Sequence, residues 1–266
     1  MTPLTAVPAP RTVMASDGVP LATYEFGDDP AAPVVVAVHG FSSSAIDNWV
    51  VTGWVRDLTR AGFRVIAYDQ RGHGASGKPH EPSAYTMPQL VADLEAVVDT
   101  WLLDDVAYLG YSLGGRVGWF GAIELPHRIT RAVLGGISDG ERLTGFDLDA
   151  ARRHAAAART GGDAPIEDRM TRAYVSMAER NPTNDLEALI ALIEGMRGGA
   201  QPDPGEVPQQ PVLFATGTDD PIIGISRELA AATPQGAFVE IPGRTHFNAP
   251  PSGDFRRAGV RFLTPR

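Results

Sequence analysis

Hydrophobic positions in this chain fall into two patterns. Short, continuous, β-branched runs recur at Val34–Val38, Arg64–Asp69, Val106–Tyr111, Ile129–Leu134, Pro211–Thr216 and Ala237–Ile241. Runs that are apolar on every position suit parallel strands covered on both faces. Leu21–Phe26, with a short partner near Arg11–Ala15, reads as a further pair of strands at the start. Between these runs the period lengthens. Residues 86–102 carry Leu90, Leu94, Val97, Val98 and Trp101 on one side, opened by Thr86 and Gln89 at capping-box spacing. Trp54–Ala61, Arg116–Leu125, Ile225–Ala232 and Ser252–Phe262 also read as helices. Strand and helix alternate, which predicts an α/β protein with a mostly parallel, doubly wound sheet of about eight strands.

The alternation stops between Ser138 and Gln210. Helices are expected over Asp147–Thr160, over Pro165–Arg180 with Pro165 near the start, and over Asn184–Arg197 with Asn184 and Glu187 at capping spacing. A Gly/Pro/Gln linker, Gly198–Pro208, follows. The expected organisation is a core of residues 1–137 and 209–266, with residues 138–208 inserted as a small helical cap.

Against this frame, Gly110-Tyr111-Ser112-Leu113-Gly114 stands out. It lies where a strand turns into a helix. Such a turn holds a serine on a strained backbone with its hydroxyl exposed, and the flanking glycines avoid a clash across the bend. A serine nucleophile needs a base, and the base needs a third group to fix its tautomer. His39 and His73 sit in glycine-flanked turns and read as structural. His80, His127 and His154 lie in polar surroundings. His246 follows the last strand, at the carboxyl edge where open α/β sheets bind ligands, and is the expected base. The acid is sought in Gly217-Thr218-Asp219-Asp220-Pro221. Pro221 biases Asp220 towards extended backbone, so Asp220 is chosen over Asp219. Two backbone amides must face a developing oxyanion; Leu113 supplies one, and the His39-Gly40-Phe41 turn aims the Phe41 amide at the same point.

Two rival patterns lack their context. Gly136-Ile137-Ser138-Asp139-Gly140 repeats the serine pattern but leads into no apolar helix, so Ser138 reads as the exit from the sheet into the cap, on the pocket wall. Gly72-His73-Gly74-Ala75-Ser76-Gly77 spells a dinucleotide fingerprint, yet it runs into Lys78-Pro79 rather than a helix. No organic cofactor and no metal are expected. A net charge of −9 disfavours nucleic acid and anionic membranes as partners. The absence of cysteine removes disulfides and thiolate chemistry. No signal peptide and no apolar run near the ~20 residues of a bilayer span are apparent, so a soluble, cytoplasmic protein is expected. The sequence leaves a homo-oligomer open.

Taken together, these residues resemble the α/β-hydrolase superfamily in its capped, esterase-like branch. The resemblance covers most of the chain: His39-Gly40-Phe41, Asp69-Gln70-Arg71-Gly72-His73-Gly74, the elbow at Ser112, the acid loop and His246. It implies the order Ser, Asp, His, and an acid at the third residue after the glycine, which is again Asp220. It also implies a Ser112–Asp220–His246 triad cleaving small to medium carboxylic esters without a cofactor. Relatives that open epoxides carry aspartate at the Ser112 position and two cap tyrosines, whereas here only Tyr174 lies between Ser138 and Gln210. Lactonases, perhydrolases, C–C bond hydrolases and non-catalytic binders of the fold are the alternatives. Phe41, Trp49, Trp54, Tyr111 and Phe247 are the aromatics nearest the expected chemistry, as pocket lining or as core.

Overall fold

In a computed structural model, the protein is described over residues 6–138 and 141–264. Asp139 and Gly140, the end of the second serine pattern, lie outside the described residues. Eight strands form one sheet in the order β1-β2-β4-β3-β5-β6-β7-β8. They are β1 Arg11–Met14, β2 Pro20–Phe26, β3 Val34–Val38, β4 Arg64–Tyr68, β5 Val106–Tyr111, β6 Ile129–Gly135, β7 Val212–Gly217 and β8 Gly236–Ile241. β1 and β2 pair antiparallel at one edge, and every pairing from β4 to β8 is parallel. This is the doubly wound α/β sheet expected from the alternation.

The continuous apolar runs are explained by the pleat. Val36, Val38, Ile66, Tyr68, Tyr108, Leu134 and Phe214 face one way, against helices α2 (Met87–Thr100), α3 (Leu113–Glu124) and α7 (Ile223–Ala232). Val35, Ala37, Val65, Ala67, Leu109, Val133 and Leu213 face the other way, against α1 (Trp54–Arg60) and α8 (Gly253–Leu263). Successive side chains alternate between faces, and both faces are buried. Trp49 and Trp54 are fully enclosed on the second face, so they are core rather than pocket. No helix among the described residues is long and apolar enough to cross a membrane.

Between β6 and β7 lie a 3-10 turn at Glu141–Gly145 and three helices, α4 (Leu148–Arg159), α5 (Arg169–Glu179) and α6 (Leu186–Met196). Phe146, Ala151, Val175, Ile190 and Ile193 form their own apolar cluster. Helix α6 is apolar nearly all round because its far side joins the sheet-side core through Leu192 and Met196. A Cβ on Gly195 would lie 2.1 Å from the Pro82 carbonyl, so glycine permits that docking.

Helices α3 and α7 start a few residues earlier than expected, at Leu113 and Ile223, and two helix starts between β6 and β7 come later. α5 begins at Arg169, because the Asp168 carboxylate accepts from the Thr171 amide at 2.6 Å, whereas Pro165 has no capping oxygen to work with. α6 is capped by Asp185, whose Oδ1 accepts from the Glu187 and Ala188 amides. Asn184 is drawn instead to Ser42. A π-helical segment at Ile46–Val50 has no counterpart in the sequence reading.

Candidate active site

The elbow is built by close approach. Ser112 sits at φ +53°, ψ −112°, between the end of β5 and the first residue of α3. That region is costly for any residue with a Cβ. The neighbours must be glycine: a Cβ on Gly110 would meet the Gly114 carbonyl oxygen at 2.3 Å, and one on Gly114 would meet the Val38 oxygen at 2.0 Å. The turn is held by the Ser112 amide donating to Gly135 O (2.8 Å), the Gly114 amide to His39 O (3.1 Å) and the Tyr108 hydroxyl to Gly114 O (2.6 Å). The serine is thereby clamped between β3 and β6 at the carboxyl edge of the sheet.

The loops after β7 and β8 are laced to each other. The Thr218 amide donates to Ile241 O and the Asp219 amide to Arg244 O, each at 3.0 Å. A Cβ on Gly217 would fall 1.9 Å from Arg244 O, so glycine allows this approach too. Tyr111, beside the serine, donates its hydroxyl to the His246 carbonyl at 2.6 Å. These contacts bring together three residues far apart in sequence. His246 Nδ1 lies 2.8 Å from Asp220 Oδ2, and its Nε2 lies 2.9 Å from Ser112 Oγ.

Asp220 is buried, and its second oxygen accepts from the Ile222 amide at 3.2 Å. A carboxylate only accepts, so Nδ1 of His246 carries a proton and Nε2 presents a lone pair to the serine hydroxyl. Asp219 is exposed and engages the Thr218 hydroxyl. The structure thus separates the two aspartates as Pro221 suggested: one faces the imidazole and the other faces solvent.

The two expected oxyanion donors are conspicuous by what surrounds them. The Gly40 amide donates to Asn48 Oδ1, the Ser42 amide to His73 Nε2, the Ser112 amide to Gly135 O and the Gly114 amide to His39 O. Among the described residues, the amides of Phe41 and Leu113 are taken by no protein acceptor, whereas those flanking them on either side are held. Gly40 packs beside Ser112, since a Cβ there would lie 3.3 Å from the serine Cβ.

Two cavities meet at this point. One, of about 380 Å³, extends between the sheet edge and α5–α6, past Arg116, Leu143, Met170, Leu192 and Ile193. The other, of about 620 Å³, runs past Asp47, Thr52, Met177, Arg180 and Pro250. Phe41, Ser112, Tyr174, His246 and Phe247 border both. Ser138 lines the first as a wall residue. Arg116, one turn after the serine, reaches into the first cavity and donates to Gln201 Oε1 at 2.6 Å. Sequence reasoning missed Asn48, Asn184 and the Tyr111–His246 contact, because no local pattern marks a side chain that bonds a distant backbone. His39 and His73, read as structural, are fully buried; burial pulls their pKa values down to about 4 and about 3, so both rings are neutral.

Residues 33–160 match a family model described as alpha/beta hydrolase fold. Epoxide hydrolase A of Mycobacterium tuberculosis (strain ATCC 25618 / H37Rv) is 36% identical over 104 residues, which is 39% of this chain and 31% of that protein. A putative 2-succinyl-6-hydroxy-2,4-cyclohexadiene-1-carboxylate synthase of Bacillus subtilis (strain 168) is 32% identical over 133 residues, 50% of this chain and 46% of that protein. Both alignments span less than half of the relative's own length. Among solved structures, the enol-lactonase from Burkholderia xenovorans LB400 is similar along the whole molecule, with a TM-score of 0.76 and 27% identity over 96% of this chain and 100% of that one. Epoxide Hydrolase A from Mycobacterium thermoresistibile shares the fold, with a TM-score of 0.68 and 22% identity over 97% of this chain and 98% of that one.

Proposed function

Because this chain belongs to the α/β-hydrolase superfamily, we propose that it is a serine hydrolase cleaving small to medium carboxylic esters through an acyl-enzyme. The observation that carries the reading is the continuous hydrogen-bond path from buried Asp220 through His246 to Ser112, beside two unclaimed backbone amides. Ser112 Oγ attacks the substrate carbonyl as His246 Nε2 takes its proton. Asp220 stays ionised and steadies the imidazolium. The amides of Phe41 and Leu113 receive the oxyanion, each worth roughly 2.7–4 kcal/mol of barrier. The tetrahedral intermediate collapses, and His246 returns the proton to the departing alkoxide. Water, deprotonated by His246, then releases the acid and restores the serine. Residues 138–208 act as a cap whose helices wall the cavity over Ser112.

The epoxide-opening chemistry named in several relatives fits this nucleophile poorly. A serine that opened an epoxide would become a dialkyl ether, and an ether offers water no carbonyl to attack. A serine acylated by an ester is itself an ester and turns over. Arg116 in the first cavity supports a second reading, a substrate whose acyl part carries a carboxylate, as a ring-opened lactone or C–C cleavage substrate would.

Both readings are tested with p-nitrophenyl esters, lactones and a dienone acid, assayed on the parent and Ser112→Ala, and with fluorophosphonate labelling. Ester turnover lost in Ser112→Ala, with an adduct on Ser112 of the parent, is the expected result. Faster turnover of the dienone acid than of aryl esters would favour the second reading. No adduct and no Ser112-dependent turnover would leave a ligand-binding protein.

A further inference from the structure

We propose that His39 is a positioning residue of the oxyanion hole, acting through the Gly40–Phe41 peptide; this rests on the acyl-transfer reading above. The carbonyl of Gly40 and the amide of Phe41 belong to one planar peptide unit, with C=O and N–H pointing in opposite directions. His39 Nδ1 lies 2.7 Å from Gly40 O. Fixing the carbonyl end therefore fixes the direction of the amide end. A hydrogen bond received at the carbonyl also draws electron density from the nitrogen and strengthens the N–H as a donor, the cooperative effect of linked hydrogen bonds.

The tautomer required is imposed by the backbone. The Gln70 amide points at His39 Nε2 from 3.0 Å. A backbone N–H only donates, so Nε2 is bare and Nδ1 carries the proton that Gly40 O accepts. The Gln70 side chain holds the other end of the same residue by donating to His39 O at 2.6 Å. The ring is fully buried among these partners and stays neutral across the working pH range, since burial depresses its pKa to about 4.

The rest of the turn is fixed independently, and the Gly40 carbonyl takes a second, longer bond from the Ser43 amide at 3.3 Å, so His39 at 2.7 Å supplies the shorter of the two holds on this peptide. Ser42, at φ +60°, donates its amide to His73 Nε2 at 3.0 Å and accepts from Asn184 Nδ2 at its carbonyl, 3.2 Å away. The Gly40 amide is held by Asn48. Phe41 N–H is without a protein acceptor among the described residues, and the path Gln70 N–H, His39, Gly40 C=O, Phe41 N–H ends beside Ser112. A group that bears on the oxyanion donor contributes in the transition state and not to ground-state binding.

The test uses three substitutions with opposite chemistry. Asn places an N–H where Nδ1 was and keeps the bond to Gly40 O. Gln places its amide near Nε2 and loses that bond, and Leu loses both. For p-nitrophenyl acetate, His39→Leu and His39→Gln should lower kcat roughly 10- to 100-fold, short of the 10²–10³ of deleting an oxyanion donor. KM should stay within about threefold, because ground-state binding does not use this donor. Affinity for a trifluoromethyl ketone, which forms a tetrahedral oxyanion on Ser112, should fall in parallel with kcat, and His39→Asn should keep most of both. Equal loss in Asn and Gln, loss expressed in KM, or unchanged kcat in folded His39→Leu would each overturn the proposal. Should the variants not fold, ¹⁵N shifts of the parent decide: His39 must show protonated Nδ1 and bare Nε2, and the reverse tautomer refutes the relay. A parent with no Ser112 adduct to the ketone would instead remove the acyl-transfer reading itself.

Discussion

Replacing Asp220 by Asn separates the two adjacent aspartates and tests the proposed proton path at once. The side chain is buried and the change is isosteric, so the fold should hold. What changes is direction. Asp220 Oδ1 accepts from the Ile222 amide, and that backbone group can only donate. In Asp220→Asn the amide oxygen must therefore stay on the Ile222 side, which turns the –NH2 towards His246 Nδ1, 2.8 Å from the present carboxylate oxygen. Two donors cannot face each other there. The imidazole must move its proton to Nε2 and point it at Ser112 Oγ, leaving nothing to accept the serine proton.

The expected loss in kcat is about 10⁴-fold, or roughly 5.4 kcal/mol at 1.36 kcal/mol per tenfold. KM for a p-nitrophenyl ester should change little, since Asp220 lies behind the histidine rather than against substrate. Asp219→Asn, at an exposed site whose carboxylate accepts from the Thr218 hydroxyl, should leave kcat nearly intact. Steady-state kinetics on both purified variants, with circular dichroism to confirm folding, decide the matter. A fall of under about tenfold in Asp220→Asn, or an equal fall in Asp219→Asn, would refute the assignment of the acid.

Two further outcomes follow from burial and backbone strain. Ser112 at φ +53° bears strain of about 1–3 kcal/mol, which glycine would relieve at an entropic cost of roughly 0.5–1 kcal/mol. Ser112→Gly should therefore melt above Ser112→Ala, by about 2–4 °C per kcal/mol gained, although both are inactive; differential scanning calorimetry showing Ala equal or higher would contradict the strain. The second outcome concerns acid. His39 and His73 have folded pKa values depressed by burial to about 4 and about 3, while an unfolded histidine titrates near 6.5. From pH 6.5 down to 4 the unfolded chain binds protons that the native state refuses, so stability falls by about 1.4 kcal/mol per pH unit for each ring. His80 and His154, raised chiefly by hydrogen bonds to Asp185 and Glu179, act with the opposite sign: their contribution is full below 6.5 and fades as pH rises through their folded values. Urea midpoints at pH 6.5, 5.5 and 4.5 should drop in the parent and drop less in His73→Gln; a parallel drop in both would show that His73 is not responsible.

The candidate site was legible in the sequence wherever its geometry depends on a residue's own stretch of chain, and illegible wherever it depends on what that stretch touches. Ser112, Asp220 and His246 each follow an apolar run by a few residues, so a reader who finds the strands finds the loops at their carboxyl ends. Gly110, Gly114 and Gly217 announce close approaches, but the atoms they clear (the oxygens of Gly114, Val38 and Arg244) are known only once strands β3, β5 and β7 lie side by side. The helix starts show the same division. Thr86 caps its own helix and was read correctly, while Asn184, equally suited by type, is captured by Ser42, 142 residues away, and Asp185 takes its place. The proposed oxyanion turn is the extreme case. His-Gly-Phe states only that the chain bends; that Phe41 is left the unclaimed amide follows from Asn48, His73 and Asn184 having satisfied its neighbours. Because an unpaired buried amide is costly, a turn exposes one only if every other donor is held so firmly that the chain cannot rotate to pair it. If Phe41 serves as the proposed oxyanion donor, its readiness is a property of the residues around it, and kcat should fall on changes, such as Asn184→Ala, that never touch the serine, the histidine or the substrate.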